Sequence, residues 1–170
     1  PNLSDISMDF RPTLHPLFKG LKEGISEFTF ANIYLFRETH NYQISGLGEG
    51  LFLITGIDQG NPFFMLPFGF PEKEVLDELF QKFMSMKCVS GSQVPGLTGM
   101  GYIVTEDRDN FDYIYLREEL AALQGDKFHK KRTLIHAFVD NYSYEGKPLI
   151  EERTGDALNV LERWREERGL

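Results

Sequence analysis

Lys127-Phe128-His129-Lys130-Lys131-Arg132 is the densest basic run in a chain whose formal net charge is -8. It falls at the start of a helix predicted from about Lys127 to Asn141, where the dipole disfavours cations by roughly 0.3–1 kcal/mol each. On a wheel of about 100° per residue, Phe128, Ile135, Phe138, Val139 and Tyr142 share one arc. Lys131 falls inside that arc, Arg132 on its edge, and Lys127 and Lys130 to one side. Lys131 therefore points where a core residue is expected, and such a local breach of pattern is where a functional site is sought. The chemistry implied is anion binding, because free N–H groups at a helix start and clustered cations together take up a phosphate or a carboxylate. The structural alternative is that Lys131 snorkels from the helix end while Asp126, Asp109 or Asp112 pair with the cations. Both readings stand at this stage.

Tyr113 and Tyr115 alternate on a predicted strand and share a face, where they either line a cleft or cover the core. The remaining constellations are weaker. Gly96-Leu97-Thr98-Gly99-Met100-Gly101 has the glycine spacing of a phosphate loop, but it is expected to lead into a strand rather than into a helix, so it reads as a flexible loop. Cys88 follows a predicted helix C-terminus, which raises a thiol pKa, and reads as inert. Glu106, Asp107, Asp109 and Asp112 depart from the spacing of a calcium loop and read as a solvated turn. No nucleophile elbow accompanies the serines and histidines, and His129 has no visible partner for proton transfer.

Composition bounds the rest. The 170 residues suit one domain, with 41% hydrophobic and 26% charged residues. The acidic balance argues against a dominant basic face for duplex nucleic acid. One cysteine excludes an internal disulfide and a multi-cysteine zinc site, and four scattered histidines offer no metal pair. No run of 18 uncharged apolar residues is present. The opening Pro1–Asp5 lacks a signal pattern, so the expected location is the cytoplasm. Pro rather than Met opens the chain and a helix nearly closes it, edges that suit a piece of a longer protein.

These residues need elements to hold them. Helices are predicted over Thr13–Gly24, from a Ser26-Glu27 cap through Arg37, over Pro71–Lys87, Glu118–Gln124 (stopped by Gly125), Lys127–Asn141 and Thr154–Arg168 with Thr154 as N-cap. Strands are predicted at Tyr42–Ser45, Leu51–Thr55, Phe63–Leu66, Gly101–Thr105 and Tyr113–Leu116, with turns at Gly46–Gly50 and Asp58–Pro62, and Tyr144–Ile150 as a strand or loop. The fold class is α/β or α+β.

The order of Ser26-Glu27-Phe28-Thr29-Phe30-Ala31-Asn32-Ile33-Tyr34, Leu66-Pro67-Phe68-Gly69, Phe111-Asp112-Tyr113-Ile114-Tyr115-Leu116, the basic run and the closing helix with Trp164 resembles the phosphatidylglycerol lysyltransferase C-terminal-like family, in the GNAT-like (acyl-CoA N-acyltransferase fold) class. The resemblance implies a mixed, largely antiparallel sheet flanked by helices over residues 1–170, as one GNAT-like domain and the first half of the usual tandem. It implies a relation to enzymes that move an aminoacyl group from a charged tRNA to a lipid or cell-wall amine or hydroxyl, with Lys127, Lys130, Lys131, Arg132, Tyr113 and Tyr115 as candidate substrate-binding residues and no catalytic base assigned. The family's KRN triplet reads Lys131-Arg132-Thr133 here. The implied donor is an aminoacyl-tRNA or acyl-CoA. The implied partners are a second GNAT-like domain or a second copy, and tRNA or anionic phospholipid, the last placing the protein at the membrane surface. One alternative is a noncatalytic half that docks a second domain, where the surplus aromatics would be covered. Another is a CoA-dependent acetyltransferase, disfavoured because Gly96 stands where the acetyl-CoA signature needs Arg or Gln.

Overall fold

A computed structural model describes residues 2–169, which form two compact units, unit 1 ending at Tyr113 and unit 2 beginning at Ile114. The fold is mixed, with a five-stranded sheet and helices. In unit 1 the strands stand in sequence order: β1 (Ser4–Asp5), β2 (Gln43–Gly48), β3 (Leu51–Asp58), β4 (Asn61–Met65) and β5 (Ser85–Met86). The first four are antiparallel, and β5 joins β4 in parallel, pairing Phe63 with Ser85 and Phe64 with Met86.

Turn chemistry sets the meander. Gly48 pairs with Leu51 and Asp58 with Asn61, which leaves two-residue loops, Glu49-Gly50 and Gln59-Gly60. Both residues of each loop have positive φ, at 51° and 78° and at 49° and 83°. That geometry twists with the strands it joins and favours glycine at the second position.

The period-two pattern of the strands divides their side chains between two layers. Ile54, Phe63 and Met65 pack with Leu14 and Phe18 of α1 (Arg11–Lys19) and Phe30 and Ile33 of α2 (Phe30–Leu35). The intervening Leu53 and Phe64, with Leu66, pack against Leu76 and Leu79 of α3 (Lys73–Lys82). The sheet is thus covered on both faces.

Several boundaries differ from expectation for local reasons. α1 starts early because the Ser7 hydroxyl accepts from Asp9 N–H and caps a 3-10 turn at Met8–Phe10 that leads into it. It stops at Gly20, although Leu21 and Ile25 continue to pack on the same core. Thr29, not Ser26-Glu27, caps α2, accepting from Asn32 N–H at 3.1 Å. The predicted Pro71–Lys87 helix ends at Lys82, because Phe83 turns extended (φ -118°, ψ 144°) and Ser85–Met86 becomes a strand. Met84, read as part of the buried stripe, is 68% exposed. The predicted Gly96 loop is instead a short helix, α4 (Val94–Gly99), with Pro95 in its first turn. Neither Gly101–Thr105 nor Tyr113–Leu116 forms a strand. Strand propensity is realised only where a neighbour supplies a ladder and a cover, and Ile103 is 93% exposed. Tyr102 is held otherwise, its hydroxyl donating to Asp77 Oδ1 at 2.6 Å while Lys73 also bonds Asp77.

Unit 2 contains α5 (Arg117–Ala122), α6 (His129–Asn141) and α7 (Thr154–Arg168). Leu123, rather than Gly125, takes the left-handed position after α5, with φ 48°. A 3-10 turn at Glu151–Arg153 leads into α7, so Arg153 occupies the cap position and Thr154 is already helical. Tyr144–Ile150 is irregular. Phe128 is buried, while Leu134, Ile135, Phe138, Val139, Leu158, Leu161 and Trp164 are all exposed.

Cys88 lies just after β5 with φ 57°, packed against the α1/α2 core. Burial, then the nearby Glu27 charge, pushes its thiol up to about 12 from an ordinary 9.0. Burial likewise pushes Tyr42 up to about 12 from 10.0. Both groups keep their proton longer when folded, so stability is full below the unfolded pKa values and falls as pH rises from about 9 towards 12. Urea melts at pH 8 and pH 10.5 should show the loss. Iodoacetamide at pH 8 should label native Cys88 far more slowly than the unfolded chain.

Candidate functional site

Polar groups meet at a helix start in unit 2 and at a cavity in unit 1. In unit 2, α6 begins directly after a 3-10 turn at Asp126–Phe128, and no side chain caps its start. The turn itself occupies the first backbone donors, with Phe128 N–H on the Gly125 carbonyl and His129 N–H on the Asp126 carbonyl. The basic residues there divide by role. Lys127 pairs with Glu119 at 2.8 Å, so its partner is none of the three aspartates expected. Arg132 folds back along the helix, its guanidinium donating to the carbonyls of Leu123 and, at 2.8 Å, Gly125. It thereby ties α6 to the end of α5 and stabilises the left-handed Leu123. Lys130 and Lys131 are exposed and make no ion pair among the described residues.

The apolar arc that made Lys131 conspicuous is not a closed core. Ile135, Phe138, Val139 and Tyr142 are each about half exposed. Lys131 thus stands at the end of an open apolar face rather than inside a packed one. Tyr113 and Tyr115 lie in an irregular stretch, 87% and 51% exposed. Without the strand, nothing sets the two rings on one face. Thr133, at the third position of the triplet, donates its hydroxyl to the His129 carbonyl at 3.1 Å, inside its own helix.

In unit 1, the parallel pair β4/β5 parts at its C-terminal end. The Lys87 N–H still reaches the Phe64 carbonyl at 2.8 Å. Beyond that, Gln93 bridges the widening gap. Its amide nitrogen donates to the Leu66 carbonyl at 3.2 Å and its oxygen accepts from Ser90 N–H at 3.0 Å. A cavity of about 190 Å³ opens here. Pro67 and Gly69 line it from the run after β4, and Leu21, Ile25 and Phe28 from the run after α1. Its polar end is a chain of three groups: Ser90 Oγ lies 3.0 Å from Ser92 Oγ, and the Ser92 hydroxyl donates to Glu23 Oε1 at 2.6 Å. That hydrogen bond holds the Glu23 carboxyl below the usual carboxylate range. Ser90 is 8% exposed.

The basic run was visible as sequence; this cavity was not. Ser90-Gly91-Ser92-Gln93 is a small polar tract just before Val94-Pro95 and could have been marked as a loop behind a strand. Glu23 stands 69 positions from Ser92, and nothing local links them. Among the described residues, no group of three or more His, Cys, Asp or Glu could hold a metal ion, and no helix is long and apolar enough to cross a membrane.

The family described as "Phosphatidylglycerol lysyltransferase, C-terminal" has a model that matches residues 18–170. Among solved structures, the chain is similar to a conserved protein of unknown function from Bacteroides thetaiotaomicron VPI-5482, with 26% identity and a TM-score of 0.74. The match covers 98% of this chain but 60% of that one, so two-fifths of the longer chain has no counterpart here. No curated protein matches the chain.

Proposed function

The chain belongs to the phosphatidylglycerol lysyltransferase C-terminal family, and on that premise we propose that it is a domain related to aminoacyl transfer, GNAT-like in class, that receives an anionic group at the start of α6. The observation that carries this reading is the pair Lys130 and Lys131, exposed and without ion-pair partners among the described residues, at a helix start that no side chain caps. A phosphate there would meet two cations together. Lys127 has its charge compensated by Glu119, and Arg132, held by the carbonyls of Leu123 and Gly125, shapes the site. The phosphate belongs to a lipid head group or to tRNA. Transfer itself needs a positioned acceptor and stabilisation of the developing oxyanion, and no residue is assigned to either role.

The test compares the wild type with Lys130→Ala/Lys131→Ala. Vesicles of phosphatidylglycerol, vesicles of phosphatidylcholine and bulk tRNA are offered separately at low salt. Each lysine near an anionic surface contributes about 1 kcal/mol, so the double variant should bind its anionic partner roughly ten- to thirtyfold more weakly. Added salt should weaken wild-type binding in the same direction. Equal binding by the two proteins, or no binding to either anion, rejects the site. Stabilisation by acetyl-CoA in a thermal melt would favour a CoA-dependent acetyltransferase instead.

A second reading has its own observation. Unit 2 leaves the apolar residues of α6 and α7 largely in water, and a patch of this kind marks an interaction surface. Two-fifths of the similar structure lies beyond the match. Under this reading the chain is a noncatalytic half, and a second domain or a second copy covers that face. A sedimentation measurement showing a monomer at high concentration removes the second copy.

A further inference from the structure

We propose that the cavity between the parting ends of β4 and β5 binds a short primary alkylammonium group. The inference stands apart from the transfer reading, which rests on Lys130 and Lys131 of unit 2. It follows from counting hydrogens. Ser92 has one hydroxyl hydrogen and directs it to Glu23 at 2.6 Å. The 3.0 Å contact between Ser90 Oγ and Ser92 Oγ must then run from the Ser90 hydrogen to the Ser92 oxygen, so both hydroxyl hydrogens are engaged. Glu23, ionised at neutral pH, only accepts. Gln93 uses its oxygen on Ser90 N–H and one amide hydrogen on the Leu66 carbonyl. Its second amide hydrogen is the one side-chain donor left among these four residues.

The polar end of the cavity therefore offers lone pairs on Ser90, Ser92 and Glu23, with negative charge. Its complement is a head group made of donors and carrying positive charge. An ammonium has three donors and no acceptor. A carboxylate or phosphate would set lone pair against lone pair and meet the Glu23 charge. An alcohol supplies one donor, no charge, and lone pairs of its own. The walls favour a hydrocarbon stem, since Leu21, Ile25, Phe28 and Pro67 line the cavity and no Lys or Arg does. A volume of about 190 Å³ holds roughly six water-sized groups. A four-carbon stem and a nitrogen fit that space.

The test is a titration of the full chain, followed by amide NMR, with n-butylammonium chloride, n-butanol and sodium butyrate at matched ionic strength. Saturable shifts at Ser90, Ser92 and Gln93 are expected with n-butylammonium alone. Glu23→Gln, at an exposed position, should retain the fold, checked by unchanged core resonances, and weaken binding by about tenfold. Lys130→Ala/Lys131→Ala should bind n-butylammonium as the wild type does, even if vesicle and tRNA binding prove absent. The proposal is overturned by any of three results: no saturable shift up to about 100 mM, well above the affinity of a weak millimolar site; an equal response to n-butanol; or unchanged affinity in Glu23→Gln. Loss of n-butylammonium binding in the lysine variant would place the ligand in unit 2 and overturn it as well.

Discussion

Phe64→Ala should destabilise unit 1 by about 3–5 kcal/mol, enough to unfold much of a protein of ordinary stability at room temperature. Phe64 is completely buried, and its ring meets Phe80 edge-on at 5.1 Å and Phe83 at 5.7 Å. It fills the layer between the sheet and α3, where five residues form the buried cluster. Urea denaturation followed by circular dichroism measures the loss. Phe64→Leu keeps most of the volume and should fold, with a smaller penalty. A penalty below about 1 kcal/mol for Phe64→Ala would mean that this layer is not closely packed.

Gly56→Val should be the next most damaging change, at about 3 kcal/mol, with Gly56→Ala nearer the lower end of the 1–3 kcal/mol expected of overpacking. The reason is close approach, not backbone freedom. A Cβ at position 56 would stand 2.7 Å from Phe63 Cζ and 2.9 Å from the Tyr42 ring. Phe63 is its partner across β3/β4, and the Tyr42 and Phe63 rings already meet edge-to-face at 6.2 Å. Both aromatics are buried, so neither can swing into solvent to make room. Thermal melts of the two variants should rank alanine above valine. Equal melts would show that the rings yield at no cost.

These two positions also show what the residues disclose in advance. The short apolar runs Leu51–Thr55 and Phe63–Leu66 and the glycines at 50 and 60 contain enough local chemistry to mark the meander. Parity along the strands even separates Phe63 from Phe64. The fate of Phe83 to Met86 could not be read the same way. Their apolar spacing continues the helical period of Leu76 and Leu79, and only the open edge of β4 turns Ser85–Met86 into a strand. Gly101–Thr105 fails in the opposite sense, having strand-like composition but pairing with no strand of the sheet. The candidate sites divide likewise. The lysines of α6 lie within one turn of each other, so they were legible. Glu23, Ser90 and Gln93 meet only after the sheet has parted, and Glu23 joins them across the whole meander. On the wheel, Lys131 breaks the pattern only where the helix face is covered. The open face of α6 removes that condition while leaving the charge in place.

The open apolar face of unit 2 has a calorimetric consequence. The heat-capacity increment of unfolding measures apolar surface newly exposed to water. Much of the apolar surface on α6 and α7 is already hydrated in the folded chain. Unit 2 should therefore contribute less to that increment than its share of residues, and the melting endotherm should report mainly on unit 1. A partner that settles on the face would restore the missing increment, so the heat capacity of the chain is a gauge of its occupancy.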